Sequence, residues 1–197
     1  EWTIETWVKL TATTDTNNHW LSWATSTANN NCLLLKDYMF TVVDEWYYVV
    51  VTSDGSSGSI VYINGEVYSG GAIFSDWCGV ATGCLVFGQD QDSVGGSFSA
   101  SQSSAMEQDT VAIYSKAWSA SAVQTAKAAV DTSDANLYAL WTGSSGTDET
   151  GNGNTATISS SSSALTVARI ADASDGSIVA TSYNDPTCSE EGMVFDG

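Results

Sequence analysis

Regular alternation of apolar and polar residues is the feature that most restricts the fold of this chain. In the opening segment, WTIETWVKL, the apolar face carries Trp2, Ile4, Val8 and Leu10. The opposite face carries Thr3, Glu5, Trp7 and Lys9. A period of two is that of a half-buried β-strand, in which successive side chains point to opposite sides. We therefore predict a first strand with one side packed in a core.

Further segments rich in β-branched and aromatic residues predict more strands. They read HWLSWAT, CLLLKDYMF, EWYYVVVTSDG, GSIVYINGEVY, CLVFGQD and DTVAIYSKAW, and the first two bracket the asparagine run at 29–31. The dipeptide Asn64-Gly65 is typical of a type I′ hairpin turn. Only SASAVQTAKAAV predicts a helix, because it is alanine-rich and begins with serines that can cap it. Many short strands with one short helix predict an all-β sandwich of two antiparallel sheets.

Charge is scarce and strongly acidic, with five Lys and Arg against 23 Asp and Glu and a net charge of −18. Binding to nucleic acid requires clustered Lys and Arg, and anionic membrane surfaces attract basic segments. We therefore expect neither a nucleic acid partner nor membrane insertion. A polar surface dominated by Ser, Thr, Asn and Gly is common in secreted and cell-surface proteins. Because the chain begins with Glu1, we interpret it as a processed product or an excised segment.

The cysteines number four: Cys32, Cys78, Cys84 and Cys188. An even number without paired CxxC spacing predicts disulfides in an oxidising compartment rather than a zinc site. Cys78 and Cys84 could close a small loop, which would leave Cys32 for Cys188. Three pairings are possible, and the sequence does not choose between them.

The stretch FGQDQDSVGGSFSASQ, residues 87–102, predicts a metal site. In an extended loop, Asp90 and Asp92 point the same way while Gln91 between them can offer its carbonyl. The glycine pair that follows lets the chain bend back towards Gln102. Calcium takes six to eight oxygens from carboxylates, amides, carbonyls and water. Without an ion, two carboxylates about 4 Å apart would repel by about 1 kcal/mol even in water. A bound cation and a solvated acidic loop are the two interpretations of this stretch.

The order of these segments resembles the pentraxin and laminin-G-like group of concanavalin A-like jelly rolls. The resemblance covers Trp2 to about Val130 and is most specific in GQDQDSVGGSF. It implies a jelly-roll sandwich and a calcium site whose ligands are Asn29, Asn30, Asp90, Gln91, Asp92 and Gln102. Asn29 stands where the family has a carboxylate, and Ser99 stands where it has a distant glutamate. Both differences remove negative charge and leave open whether one or two ions bind.

Residues 137–197 resemble parts of the same family in a rotated order. NLYALWTGSSGTDETGNGN resembles the opening of a laminin-G-like repeat, and GMVFDG resembles the strand that normally precedes WTIE. Two interpretations stay open. Either residues 1–197 form one sandwich that these strands close, which we favour, or the tail belongs to a following repeat or to a neighbouring subunit.

Catalytic groups are incomplete, so we predict that the chain is not an enzyme. Related β-glucanases carry three carboxylates on one strand, whereas here Glu107 and Asp109 are followed by Ala112 in the third position. The sole histidine, His19, has no Ser-His-Asp arrangement and is interpreted as a turn or strand-edge residue. The pair at 44–45 is interpreted as part of a solvated turn.

These observations predict a non-catalytic extracellular module that binds calcium and, through or beside the ion, a glycan or another polar ligand. Its role would be lectin-like recognition or adhesion. The alternative is a structural subunit of an extracellular fibre or coat, a homo-oligomer or polymer assembled by strand exchange.

Overall fold

The computed structural model describes residues 1–12, 17–25, 28–56, 58–70, 73–75, 83–126, 129–142, 146–154, 156 and 177–180. The strands are β1 (Trp2–Leu10), β2 (His19–Thr25), β3 (Ala28–Lys36), β4 (Trp46–Ser53), β5 (Ile60–Ile63), β6 (Glu66–Val67), β7 (Ile73–Ser75), β8 (Gly83–Phe87), β9 (Met106–Tyr114), β10 (Leu137–Trp141) and β11 (Ser177–Ala180). The helices are α1 (Ala120–Ala126) and two short 3-10 turns, Asp37–Met39 and Ala100–Gln102. The predicted all-β class with one short α-helix is confirmed.

Two antiparallel sheets make up the sandwich. The larger sheet has the order β10-β9-β1-β4-β5-β6, and the smaller sheet has the order β7-β3-β2-β8. β10 and β11 share one edge of β9, where β10 pairs with residues 111–114 and β11 with residues 106–109. A strand from the C-terminal third thus pairs within the same chain. Most of residues 157–197 lie outside the described residues, so the choice between self-closure and strand exchange stays a prediction.

The apolar faces of the two sheets form one core, as the alternation in β1 predicts. All four apolar residues of that face, Trp2, Ile4, Val8 and Leu10, belong to the core. The ring of Trp2 meets that of Trp23 edge to face at 4.9 Å between centroids, a geometry that the aromatic quadrupole favours. Trp20 packs on Phe40 at 5.6 Å. Large aromatic side chains therefore join the two sheets.

Several element boundaries differ from those expected. The asparagine run lies inside β3, because residues 28 and 31 pair with β2. CLLLKDYMF is extended only to Lys36 and then forms a 3-10 turn. The described α-helix ends at Ala126, and Ser119 caps it by accepting the Ala122 N–H at 3.3 Å. The type I′ turn is confirmed by positive φ at Asn64 (54°) and Gly65 (91°).

The sheet order excludes a disulfide between Cys32 and Cys84, and with it one of the three possible pairings. Cys32 lies on β3 and Cys84 on β8, which flank β2. Two strand spacings amount to about 10 Å, whereas bridged cysteines have Cα atoms within about 7 Å. Neither residue is a free thiol. Cys78 and Cys188 lie outside the described residues, so the assignment of partners stays a prediction.

The outer face of the larger sheet carries a buried carboxylate. Glu5 is 3% exposed, and its Oε2 and Oε1 accept hydrogen bonds from the hydroxyls of Tyr48 and Tyr114, both at 2.7 Å. Trp118 and Val123 of α1 pack against these tyrosines. Burial raises the pKa of Glu5, and the two tyrosine hydrogen bonds oppose it. The polar face of β1 is therefore covered by the helical segment rather than by water.

Two substitutions of Glu5 test separately what its charge and its hydrogen bonds contribute to the free energy of unfolding. The folded state holds the Glu5 proton more tightly than the unfolded state, so the contribution of Glu5 to the free energy of unfolding falls as the pH rises above 4.5. We expect Glu5→Gln to remove this fall in urea titrations at increasing pH. Glu5→Leu leaves two buried hydroxyls without an acceptor and should cost about 1–3 kcal/mol for each. Glu66→Gln, on the exposed strand β6, is the control, and parallel pH profiles of wild type and Glu5→Gln would contradict the assignment.

Candidate functional site

The loop after β8, residues 88–105, lies over the outer face of the smaller sheet. Ser22 lies between two core residues of β2, so its side chain points away from the core. Its Oγ donates to the Gln89 carbonyl at 2.7 Å. The Gly88 N–H donates to Trp20 O at 2.7 Å, and the Ser104 N–H donates to Gly88 O at 2.9 Å. These bonds attach both ends of the loop to β2.

Asp90 is the buried centre of this loop. It is 5% exposed, although an unpaired carboxylate inside a protein is costly. Asn31 Nδ2 donates to Oδ1 at 2.6 Å, and Gln102 Nε2 donates to Oδ2 at 2.8 Å. The structure thus brings together Asp90 and Gln102, which the sequence analysis placed in one site. Asp92 is exposed, so the two carboxylates of the loop have different surroundings.

Asn31 was missed by the sequence analysis, which assigned its neighbours Asn29 and Asn30. Its Nδ2 also donates to the Gln91 carbonyl at 2.9 Å. The β2–β3 register shifts between Trp23 and Ala24, so that Leu33 and Asn31 pair with successive residues of β2. Cys32 enters the core at this shift, and Asn31 then points to the outer face. The side chains of Asn29 and Asn30 lie outside the described part of the structure, and their roles stay predictions.

The side chain of Gln91 ties the loop to the sheet. It is fully buried, at 0% exposed. Its Nε2 donates to Cys84 O at 2.9 Å and to Ser22 O at 3.2 Å, and its Oε1 accepts the Gly95 N–H at 2.8 Å. The sequence analysis assigned only the carbonyl of Gln91. The structure shows that the side chain connects β2, β8 and the glycine bend.

The sequence analysis interpreted His19 as a turn or strand-edge residue. His19 is the first residue of β2, an inner strand of the smaller sheet, and its side chain is buried beside Asp90. It is 4% exposed, and its Nδ1 lies 3.9 Å from Asp90 Oδ2. Within the described part of the chain, neither ring nitrogen makes a hydrogen bond of normal geometry, but the backbone of Gln102 lies close enough to raise the pKa of His19. Burial lowers the pKa of His19 more than the neighbouring Asp90 raises it. The alternation of strand residues gave no sign that this histidine and the loop carboxylate would meet.

A second buried carboxylate supports the far end of the loop. Asp37 follows β3 and accepts a hydrogen bond from the Ser104 hydroxyl. Burial raises the pKa of Asp37 to about 6. The loop is therefore held at Asp37 as well as at Asp90.

The oxygens around Asp90 form a set that suits a hard cation. Asn31 Nδ2 and Gln102 Nε2 converge on the Asp90 carboxylate and the Gln91 carbonyl. Rotation of a terminal amide by half a turn exchanges its NH₂ group for its oxygen. The turned amides would give neutral oxygen ligands beside one buried carboxylate, as calcium accepts. Among the described residues, no three His, Cys, Asp or Glu side chains gather as a metal cluster, so amides and carbonyls would have to supply most of the ligands of any cation.

The three positions that would carry the carboxylates of a glycosidase lie on β9. Glu107 lies on β9 and forms a salt bridge with Lys9 at 2.6 Å. Ala112 is buried and supplies no third carboxylate. That the chain has no catalytic activity stays a prediction.

Comparisons with known proteins agree with the fold. The family model Laminin_G_3, described as "Concanavalin A-like lectin/glucanases superfamily", matches residues 23–124, and this match confirms the predicted resemblance. A similar solved structure is the native heptameric SAP-like pentraxin from Limulus polyphemus, with 20% identity, a TM-score of 0.48, and coverage of 64% of this chain and 68% of that chain. No curated protein matches the chain.

A second similar structure is a Bacteroides ovatus protein described as carbohydrate binding. The identity is 15%, the TM-score is 0.45, and the match covers 72% of this chain and 44% of that chain. The matched region is therefore less than half of the Bacteroides ovatus protein. In the described residues, no helix has the length and apolar character needed to span a membrane.

Loss of the Gln91 side chain should loosen the loop without any metal present. Gln91→Leu keeps the carbonyl and removes the bonds to Ser22, Cys84 and Gly95. At about 1 kcal/mol for each hydrogen bond, we expect loop amides to exchange hydrogen at least about tenfold faster in a chelating buffer. Asp92→Asn changes an exposed neighbour and is the control. Equal protection of the Gly88, Gly95 and Ser104 amides in both variants would show that the side chain does not hold the loop.

Proposed function

The chain belongs to the concanavalin A-like lectin/glucanases superfamily, and we propose that it is a non-catalytic extracellular recognition module that binds calcium at the Asp90 loop. Through the ion, the module would bind a glycan or another polar ligand. The proposal is carried by one observation: the Asp90 carboxylate and the Gln91 carbonyl converge with two side-chain amides on the outer face of the smaller sheet.

Coordination chemistry supports calcium in this role. The candidate ligands that the structure brings together are Asp90, Gln91, Asn31 and Gln102, with one carboxylate among them. Calcium takes six to eight oxygens, so Asp92, Asn29 or Asn30 and solvent would complete its shell. Ligand positions held by water are those that paired hydroxyls of a sugar can replace. The metal would thus connect the protein to a ligand that the protein contacts only in part.

Net charge supports a neutral polyhydroxyl ligand. The chain carries a formal charge of −18, and such a field concentrates cations near the surface and repels anions. A polyanionic ligand would have to overcome this repulsion at every contact, whereas a neutral glycan would not. We therefore favour neutral glycans over sulfated or phosphorylated polymers.

An extracellular location has support from cysteine chemistry. Cys32 and Cys84 are buried and are not free thiols. Disulfides persist in oxidising compartments and are rare in reducing ones. Extracellular calcium is also abundant enough for sites of weak to moderate affinity, which extracellular modules commonly have.

Calcium titration tests the metal part of the proposal. We expect isothermal titration to show binding by the wild type and a loss of affinity of about tenfold or more, equal to about 1.4 kcal/mol, in Asp90→Asn. The loss follows because the substitution removes the one buried charge among the described ligands. Asp44→Asn, in the exposed turn before β4, controls for net charge. No calcium binding by the wild type, or equal affinity in Asp90→Asn and Asp44→Asn, would contradict the proposal.

A glycan array tests the ligand part. The wild type should bind neutral glycans on the array in the presence of calcium and should not bind them in a chelating buffer. Asp90→Asn should bind them in neither buffer. Retention that is independent of calcium would place the glycan site elsewhere. Preferential retention of sulfated glycans would overturn the charge argument.

A further inference from the structure

We propose that the Asp90 loop also holds a borderline first-row divalent cation, with zinc as the representative ion, and that the His19 imidazole is one of its ligands. This inference rests on the proposed function of the loop as a cation site. It differs in the ion and in the ligand, because calcium takes oxygen ligands whereas imidazole nitrogen suits zinc, nickel, copper and iron.

The first argument is the condition of the His19 side chain. The residue is 4% exposed. Among the described residues neither ring nitrogen makes a hydrogen bond of normal geometry, although the Gln102 backbone lies close enough to raise the pKa of His19. Buried polar groups are normally satisfied, and an unsatisfied one destabilises the folded state. A metal ion bound to one nitrogen would remove part of that destabilisation.

The second argument is distance. His19 Nδ1 and Asp90 Oδ2 are 3.9 Å apart, which is too long for a hydrogen bond. Zinc binds nitrogen at about 2.0–2.1 Å and carboxylate oxygen at about 2.0–2.2 Å, so two ligands of one ion lie no more than about 4.3 Å apart. The observed separation is within that limit. A tetrahedral zinc ion holds two such ligands about 3.4 Å apart, so the two side chains would have to approach each other by about 0.5 Å to bind one ion.

The third argument is the neighbouring amide. Gln102 Nε2 lies 2.8 Å from the same Oδ2 atom of Asp90. Turned by half a revolution, this amide offers its oxygen next to the Asp90 carboxylate. The resulting nitrogen, carboxylate and amide set is of mixed type, which zinc accepts more readily than calcium does.

The chain offers a direct spectroscopic test because His19 is its only histidine. In oxidised, tag-free protein labelled with ¹⁵N-histidine, the imidazole nitrogen signals belong to this residue alone. We expect zinc to shift the ¹⁵N signal of Nδ1 strongly. Calcium should not cause the shift of a directly bound ion, because it takes oxygen ligands. By titration, His19→Gln should weaken zinc binding about tenfold or more and change calcium binding by no more than about twofold. Asp44→Asn is again the control for charge.

The outcomes separate this inference from the proposed function. Calcium binding with no zinc-dependent Nδ1 shift would overturn the inference and leave the proposed function standing. A zinc-dependent Nδ1 shift in a chain that does not bind calcium would support the inference and contradict the calcium proposal. If His19→Gln does not fold, the nitrogen signals of the wild type decide the question. Zinc binding with an unperturbed imidazole would assign the ion to other residues and overturn the inference.

Discussion

A carboxylate removed from water has to be compensated by hydrogen bonds or by positive charge, and the position of the 88–105 loop depends on how Asp90 meets this requirement. Asn31 and Gln102 approach it from β3 and from the end of the loop. Gln91, buried next to it, binds the strands below. The loop is thus held from its centre outward. Any cation would enter a site whose oxygens are already close together.

Each outer face of the sandwich carries a buried carboxylate, and the two carboxylates have different roles. Glu5, on the larger sheet, receives two tyrosine hydroxyls and is packed among aromatic and helical side chains. Asp90, on the smaller sheet, receives two amides beside an exposed loop. A terminal amide can reverse and present oxygen to a cation, whereas the apolar packing around the tyrosines leaves Glu5 a structural role. The surrounding side chains therefore determine which carboxylate can act as a ligand.

The observations that establish the fold differ from those that support the proposed functions. The family match and the two sheets establish a concanavalin A-like sandwich. That fold serves many functions, so it does not by itself assign one. Calcium and glycan binding depend on the converging oxygens of the Asp90 loop, and zinc binding depends on the additional placement of His19. Each step adds one local geometric observation to the step before it.

The sequence by itself determined most of the strands up to Tyr114, but not β7 or the start of β3. It also determined the core face of β1, the type I′ turn at Asn64 and the loop that contains Asp90. These features follow from local periodicity and from residues with restricted backbone preferences. It also indicated that Gln102 would return to Asp90, because both lie in one short loop with glycines between them.

Only the tertiary structure decided that Asn31 reaches Asp90, since the shift in the β2–β3 pairing reverses the side-chain direction there. It likewise decided that His19 lies against Asp90 and that Glu5 is covered by α1. Contacts between residues more than seventy positions apart depend on how strands pair and how loops lie on sheets. A one-residue change in register moves side chains to the opposite face, and local alternation carries no record of that change.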